Sequence, residues 1–488
     1  QQLVTLTIDG QQVSVPPGTS VLDAAAKLGI DIPTFCHHAK LTPIGACRMC
    51  LVEVEKVRAP QPACSTPVRP DMVVFTNTPA IVKARRAQLE FLLTNHPLDC
   101  PVCDAGGECE LQNQTFEFGP DSSRYCEAKR HKAKALPLSD HIMMDQERCV
   151  LCRRCFRFMQ EWADENEIDL VERGRQSYID TFDHHVFSSN FAGNTVQVCP
   201  VGAITSRKFR FRARVWELER TDSICANCAV GCNIEHNVKA NELKRIVARL
   251  NPHVNDEWLC DRGRFDHSFA NPSERVIAPM VREYGELRPT TWDRALRLVA
   301  ERLETDLRRF GPNIGAAVGS VRASNEANYL LQRFARACLH TNNLVLPDAP
   351  PAKARLLPTN RWMEQGGAVL IVGMDLAQDA PILELLARRA GLCAGTRYVV
   401  LNAEKTHLAR FGTWLGSRPG TEVAVLNGMA RLLIEGNQAQ PAPQIDDLRA
   451  WVAGYTPAEV EQASGVAAAD LQAAVDEFIA APRRLILY

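Results

Sequence analysis

No stretch of this chain approaches the ~20 apolar residues needed to span a bilayer. The most apolar run, Ala368 to Met374, is only strand length. Formal net charge is −1, so no overall pull toward nucleic acid or an anionic membrane exists. The local basic runs Lys129-Arg130-His131-Lys132 and Arg207-Lys208-Phe209-Arg210 read as solvated faces or docking rims. No G-x-G-x-x-G follows a strand and no G-x-x-x-x-G-K-[ST] occurs, so neither a dinucleotide nor a nucleoside triphosphate site is visible. No Ser/His/Asp or Cys/His arrangement stands out. The start, Gln1-Gln-Leu-Val-Thr-Leu-Thr, has no Met and the profile of neither a signal nor a transit peptide; the expectation is a trimmed start and no export. Beyond about residue 270 cysteine nearly vanishes, leaving only Cys338 and Cys393. With 46% hydrophobic and 23% charged residues over 488 positions, the chain is ordinary globular material for roughly three domains.

What it has in excess is cysteine at close spacing. Between Cys36 and Cys260, fifteen of the eighteen cysteines and one histidine fall into four consecutive groups of four potential ligands. Without export, such spacing points to metal rather than disulfides.

The first group lies behind an expected hairpin over Val4 to Val15, turning at Asp9-Gly10, and a short helix over Val21 to Leu28 capped by Thr19 or Ser20. A strand pair, a helix and a cysteine-bearing loop resemble the start of a plant-type [2Fe–2S] ferredoxin domain. The loop supplies Cys36, Cys47, Cys50 and Cys64, the four thiolates a two-iron cluster needs. Gly45-Ala46 are small enough for backbone N–H groups to approach the sulfurs. Zinc takes the same thiolates, and spacing alone does not separate the metals; the flanking fold and the three later groups favour iron. His37 and His38 read as loop residues.

A helix expected over Ala80 to Asn95 leads into His96, Cys100, Cys103 and Cys109. His96 is assigned as a ligand because the Cys-x2-Cys after it otherwise lacks a fourth partner. The third group is Cys149, Cys152 and Cys155, with Cys199-Pro200 following. Bacterial ferredoxins use this run with a distant Cys-Pro; a second such run is missing, so one [4Fe–4S] cluster is expected here. The fourth group is Cys225, Cys228, Cys232 and Cys260, between expected strands Val215 to Leu218 and Leu243 to Ala248. Cys338 and Cys393 read as small buried hydrophobes, Cys393 in a bend over Ala390 to Gly395, and Cys126 has no assigned role.

After residue 270 an amphipathic helix is expected from Thr290 or Thr291 to about Arg309, with Ala295, Leu296, Val299, Leu303 and Leu307 inward. Strands over Ile314 to Val318, Ala368 to Val372 and Tyr398 to Leu401 alternate with helices Asn325 to Leu339, Ala380 to Ala390 and Val423 to Glu435. Alternation of this kind implies a parallel sheet with helices on its faces. Arg484 to Tyr488 reads as a final strand, which makes this domain look incomplete.

With all four groups in place, the chain resembles the large iron–sulfur (G) subunit of bacterial respiratory NADH:quinone oxidoreductase, complex I. Asn95-His-Pro-Leu-Asp-Cys100, Gly107-Glu-Cys-Glu-Leu-Gln112 and Phe211-Arg-Ala-Arg-Val-Trp-Glu-Leu218 carry the resemblance beyond ligand spacing. It implies an α+β multidomain chain: a [2Fe–2S] ferredoxin-like domain over 1–78, a [4Fe–4S] segment with one histidine and three cysteine ligands over 79–135, and a single-cluster ferredoxin-like segment over 136–215. A fourth-cluster [4Fe–4S] domain over 216–272 and a partial α/β molybdopterin-oxidoreductase-like domain over 273–488, without molybdopterin, complete it. Family members usually extend well beyond 488 residues, so the chain is either a short variant or lacks its remainder.

The resemblance further implies one [2Fe–2S] and three [4Fe–4S] clusters relaying electrons from an NADH/FMN-binding partner toward quinone. The route would run through the first, third and second groups, with the fourth off it. The expected setting is a hetero-oligomer in a peripheral arm at the cytoplasmic side of the bacterial inner membrane, with no direct membrane insertion and no nucleic acid. The alternative is the iron–sulfur/molybdopterin subunit of an NAD-linked formate dehydrogenase. That family carries a lysine shortly after the last cysteine of the fourth group; here Cys260 is followed by Asp261-Arg-Gly-Arg264.

Overall fold

The computed structural model describes residues 3–271, 275–320, 323–345, 360–439, 441 and 443–488. The expected boundary at 272–273 lies outside them. The chain forms two compact units, residues 1–267 with 359–488, and residues 268–358.

In the first unit, Val4–Ile8 and Gln11–Val15 pair antiparallel, Val4 opposite Val15. Both turn residues, Asp9 and Gly10, take positive φ, the condition for a tight hairpin matched to strand twist. Val73–Phe75 adds to Val4–Ile8 in parallel, and the full sheet has five strands. Helix α1 (Val21–Lys27) is capped by Ser20, whose side chain accepts from the Asp23 N–H. It buries Val21, Ala24 and Ala25 against Leu6, Ile8, Val15, Cys50 and Cys64, so the ferredoxin-like core includes two of the expected ligands.

Helix α2 (Pro79–Thr94) starts on a Thr78 cap with Pro79 in its first turn, where a missing N–H costs nothing. Its buried Arg85 donates to the Thr76 and Leu51 carbonyls at 2.8 and 3.3 Å, fastening the helix to the sheet. The next elements that matter to the sites are α3 (Glu110–Phe118), α4 (Arg154–Phe158) and α5 (Gly193–Val198). An antiparallel meander of Glu219–Ile224, Asn233–Lys239 and Glu242–Ala248 then leads to α6 (Asp261–Phe265). The expected strand at Val215 to Leu218 is instead a 3-10 turn, Val215–Glu217. Glu217 accepts from the Arg214 N–H at 2.8 Å, which closes the turn, and the strand begins at Glu219.

The unit ends in a four-stranded parallel sheet ordered Trp414–Leu415, Arg397–Leu401, Ala368–Val372, Arg484–Leu487. Helices Pro381–Ala394, Glu422–Glu435 and Ala468–Ala480 accompany it, the expected alternation. Cys393 lies within the first of these helices and is exposed, neither buried nor in a bend. One continuous apolar core runs from Phe35 and Leu89 through Phe158 and Trp258 to Val369 and Tyr398. Buried Arg388 reinforces the join, donating to Glu384 and to the Ala163 carbonyl at 2.6 Å.

The second unit holds the hairpin Met280–Glu283 with Glu286–Pro289, helix α7 (Trp292–Phe310) capped by Thr291, and helix α8 (Asn325–Ala337). Only Ala317–Val318 of the expected strand forms, paired in parallel with Leu344–Val345; Pro312–Ile314 turns as a 3-10 helix instead. Leu296 and Val299 of α7, expected inward, are 59% and 52% exposed, and Cys338 is exposed as well. Among the described residues no helix is long and apolar enough to cross a membrane.

Candidate metal centres

Each of the four groups is brought together by a different local device. In the first, the Phe35 and Cys36 N–H groups donate to Cys47 Sγ at 3.4 Å, and the Cys47 N–H donates to Cys36 Sγ at 3.5 Å. Left-handed backbone at Gly45 and Arg48 (φ 59° and 58°) curls the loop; a β-carbon at Gly45 would meet Ser65 Oγ at 2.9 Å. Cys36 hydrogen-bonds with Cys47 and Cys64, and Cys50 with Cys64. These contacts pull Cys36 down to about 2 and push its partners Cys47 and Cys64 up. Four crowded sulfurs that stabilise a thiolate in their midst are a donor set suited to cationic iron.

In the second group, His96 follows α2, Cys100 opens a 3-10 turn and Cys109 leads into α3. All four residues line one cavity of about 220 Å³. Burial, reinforced by the charges of Lys129 and Arg148, brings His96 down to about 4, leaving the neutral imidazole a metal requires. Burial pushes Cys109 up to about 11. The backbone of Gly202 closes the cavity so tightly that a β-carbon there would stand 2.1 Å from Cys103 Sγ.

In the third, Cys149, Cys152, Cys155 and Cys199 enclose a small space with Ile179, Ala203 and Ile204. Leu151 and Arg153 hold positive φ (51° and 63°), a conformation costly to non-glycine residues that clusters at functional sites. Burial, with charge repulsion from the neighbouring sulfurs, pushes Cys149 and Cys152 up to about 12 and Cys155 well above its usual range. Thiolates this costly when dry need a compensating cation.

The fourth group is tied by the Cys225 N–H donating to the Cys232 carbonyl at 2.8 Å. Cys260 Sγ accepts from the Gly263 N–H at 3.4 Å and caps α6. Burial, then the charges of Cys225 and Cys228, moves Cys260 up to about 11; Cys232 moves up through burial and its three companions. Among the described residues no three His, Cys, Asp or Glu side chains converge tightly enough to hold a single metal ion.

Sequence reading missed the residues that link the groups. Arg157 of α4 donates to the carbonyls of Cys36 and Thr42, tying the first loop to the helix that carries Cys155. Arg154 holds Glu110, next to Cys109, through two bonds of 2.7 and 2.9 Å, and the Glu110 N–H donates to the Pro200 carbonyl at 3.0 Å. Arginines interleaved with the ligand cysteines are visible in the sequence, but the distant partners they reach are not.

Family models match almost end to end: a 2Fe-2S iron-sulfur cluster binding domain over residues 1–79, the NADH-ubiquinone oxidoreductase-G iron-sulfur binding region over 85–124, and the ferredoxin-like domain of NADH-quinone oxidoreductase subunit 3 over 139–205. An NADH-ubiquinone oxidoreductase NDSU1/NuoG-like 4Fe-4S domain covers 218–268 and molybdopterin oxidoreductase covers 275–446. The matched models thus define an iron–sulfur chain with both 2Fe-2S and 4Fe-4S domains.

Among relatives, the NADH-quinone oxidoreductase G subunit of Streptomyces coelicolor is 40% identical over 88% of this chain and 54% of its own length. The NADH-ubiquinone oxidoreductase 75 kDa subunit of Reclinomonas americana is 44% identical over 62% and 43%. The alpha subunit of NADPH-Fe(3+) oxidoreductase from Geobacter sulfurreducens is 36% identical over 97% and 58%. The chain belongs to the family of NADH-quinone oxidoreductase G subunits, and it spans about half the length of the curated relatives it matches.

Proposed function

We propose that the chain is the electron-relay subunit of an NADH:quinone oxidoreductase. Its sixteen ligands hold one [2Fe–2S] and three [4Fe–4S] clusters, which when bound supply one-electron redox chemistry. The observation that carries this reading is the contiguity of three groups: Arg157 joins the Cys36 loop to the Cys155 helix, and Gly202, three residues beyond Cys199, packs on Cys103. These contacts support an order of first, third, second; Cys109 and Cys155 belong to one continuous apolar core, and Cys50 and Cys64 to the ferredoxin-like core beside it. The fourth group is read as lying off that line, and the molybdopterin-oxidoreductase-like region as working without its cofactor. Partners would be an NADH/FMN-binding subunit and other peripheral-arm subunits, at the cytoplasmic side of a bacterial inner membrane.

The experiment is Cys152→Ser in the assembled complex. NADH should then still reduce the first site but not the His96 site, while dithionite reduces both. Undiminished reduction of the His96 site by NADH would overturn the order.

A second reading is favoured by the Geobacter relative, which matches 97% of this chain: the same relay serving NADPH and a metal acceptor. Quinone-dependent turnover with NADH decides between them.

A further inference from the structure

Arg148 immediately precedes a ligand of the third group, yet it lines the cavity of the second, beside His96, Cys100, Cys103 and Cys109. It is 4% exposed. Its Nε and Nη2 donate to Asp99 at 3.1 and 3.0 Å, and Nε lies 3.4 Å from Asp145. Nη1 is buried and has no acceptor. Native folds keep few such orphans, and each calls for an explanation. The carboxylate already bonded, Asp99, is shared with Lys134 Nζ at 2.7 Å; Asp145 Oδ2 stands 3.4 Å from Nε, is itself without a hydrogen-bond partner, and is not paired with Nη1.

What the cavity otherwise presents is sulfur. A group of iron, sulfide and three thiolates is anionic, and its sulfurs accept hydrogen bonds that raise its potential. An arginine guanidinium is not deprotonated in proteins. The guanidinium therefore remains charged at the cavity wall.

We propose that Arg148 is the hydrogen-bond donor and charge partner of the cluster bound by His96, Cys100, Cys103 and Cys109, holding its potential above the value the three thiolates alone would set. This rests on the reading that the cavity holds a [4Fe–4S] cluster. A merely structural Arg148, pinning the turn at Asp99, would leave the potential unmoved.

The test uses the assembled complex, labelled with 15N in histidine or, separately, in the arginine guanidinium. Pulsed paramagnetic resonance of the reduced protein first identifies the cluster signal with imidazole coupling. If no signal carries one, the ligand reading has failed and the arginine proposal falls with it. Where it is present, a guanidinium coupling on the same signal, lost in Arg148→Lys, is expected; its absence overturns the proposal alone. Arg148→Gln should shift that signal's midpoint potential to more negative values at unchanged iron content, and Arg148→Lys should restore most of the shift. An unshifted potential in iron-replete Arg148→Gln overturns it. Should the Gln variant lose its cluster, the labelling result on the unaltered protein decides.

Discussion

Gly202 packs so closely on Cys103 that its missing β-carbon would stand 2.1 Å from the sulfur. Ordinary carbon–sulfur contacts are well over an ångström longer, and the next neighbours on this side are Ala105 Cβ at 3.4 Å and Ala105 N at 3.7 Å. The loop that follows Cys199 in the third group is therefore also the wall of the second.

Gly202→Ala should accordingly displace Cys103 and cost the second cluster while sparing the other three. Iron analysis is expected to fall by about four atoms per chain, the content of one cubane cluster, with loss of one resonance signal. An alanine variant with full iron and all signals would show that the wall yields.

The imidazole makes a separate prediction. His96 is neutral as buried, so a thiolate in its place adds one negative charge to the site. A more negative cluster accepts an electron less readily. His96→Cys should keep its cluster and lower its potential, by on the order of 100 mV, judged from the offset between His- and Cys-ligated clusters. A redox titration that finds no change would argue against ligation by His96.

How far the chemistry could be read from sequence follows from how local it is. Cys149, Cys152 and Cys155 sit three apart within one short stretch, and that spacing is visible in the bare sequence. Helix α2 announced itself through its apolar stripe and the strand at Ala368 through its unbroken hydrophobicity. The run Val215 to Leu218 looked equally strand-like, but Glu217 folds back on the Arg214 N–H; the true strand, Glu219–Ile224, is mostly exposed and polar, so apolar patterning passes over it. Leu296, Val299, Cys338 and Cys393 carry the composition of a core without being covered by one within the described residues. The contacts of Arg148 with Asp99, of Gly202 with Cys103 and of Arg157 with Cys36 span 49, 99 and 121 positions, and nothing in linear spacing marks them.

Arg157 yields a prediction on stability. It donates to the carbonyls of Cys36 and Thr42 and, at 3.1 Å, to that of Arg153. Arg157→Met keeps the apolar stem but strands the first two acceptors, at about 1–3 kcal/mol for a buried unpaired group. Loops open locally at less cost than the whole fold, so the cost should appear in the Cys36 loop. Amide exchange across residues 34–42 is expected to be roughly tenfold to hundredfold faster. Exchange at the wild-type rate would mean that other contacts hold the loop.

The fourth group offers the sharpest division between holding iron and carrying current. The charges that act on Cys260 come from Cys225, Cys228 and Arg262, all belonging to its own surroundings. By contrast, Arg157 feels both Cys36 and Cys152. Cys228 is the half-exposed member of the set, so Cys228→Ser should remove or weaken this cluster with the least disturbance to the fold. If the site lies off the line of flow, NADH-to-quinone turnover in fully assembled complex should stay within about twofold of wild type, since a twofold change is under 0.5 kcal/mol in the barrier. Iron content should meanwhile drop by about one four-iron centre. Turnover lost in assembled enzyme that keeps its other three clusters would put the fourth group on the route, and the relay would then have to pass through the meander that carries it.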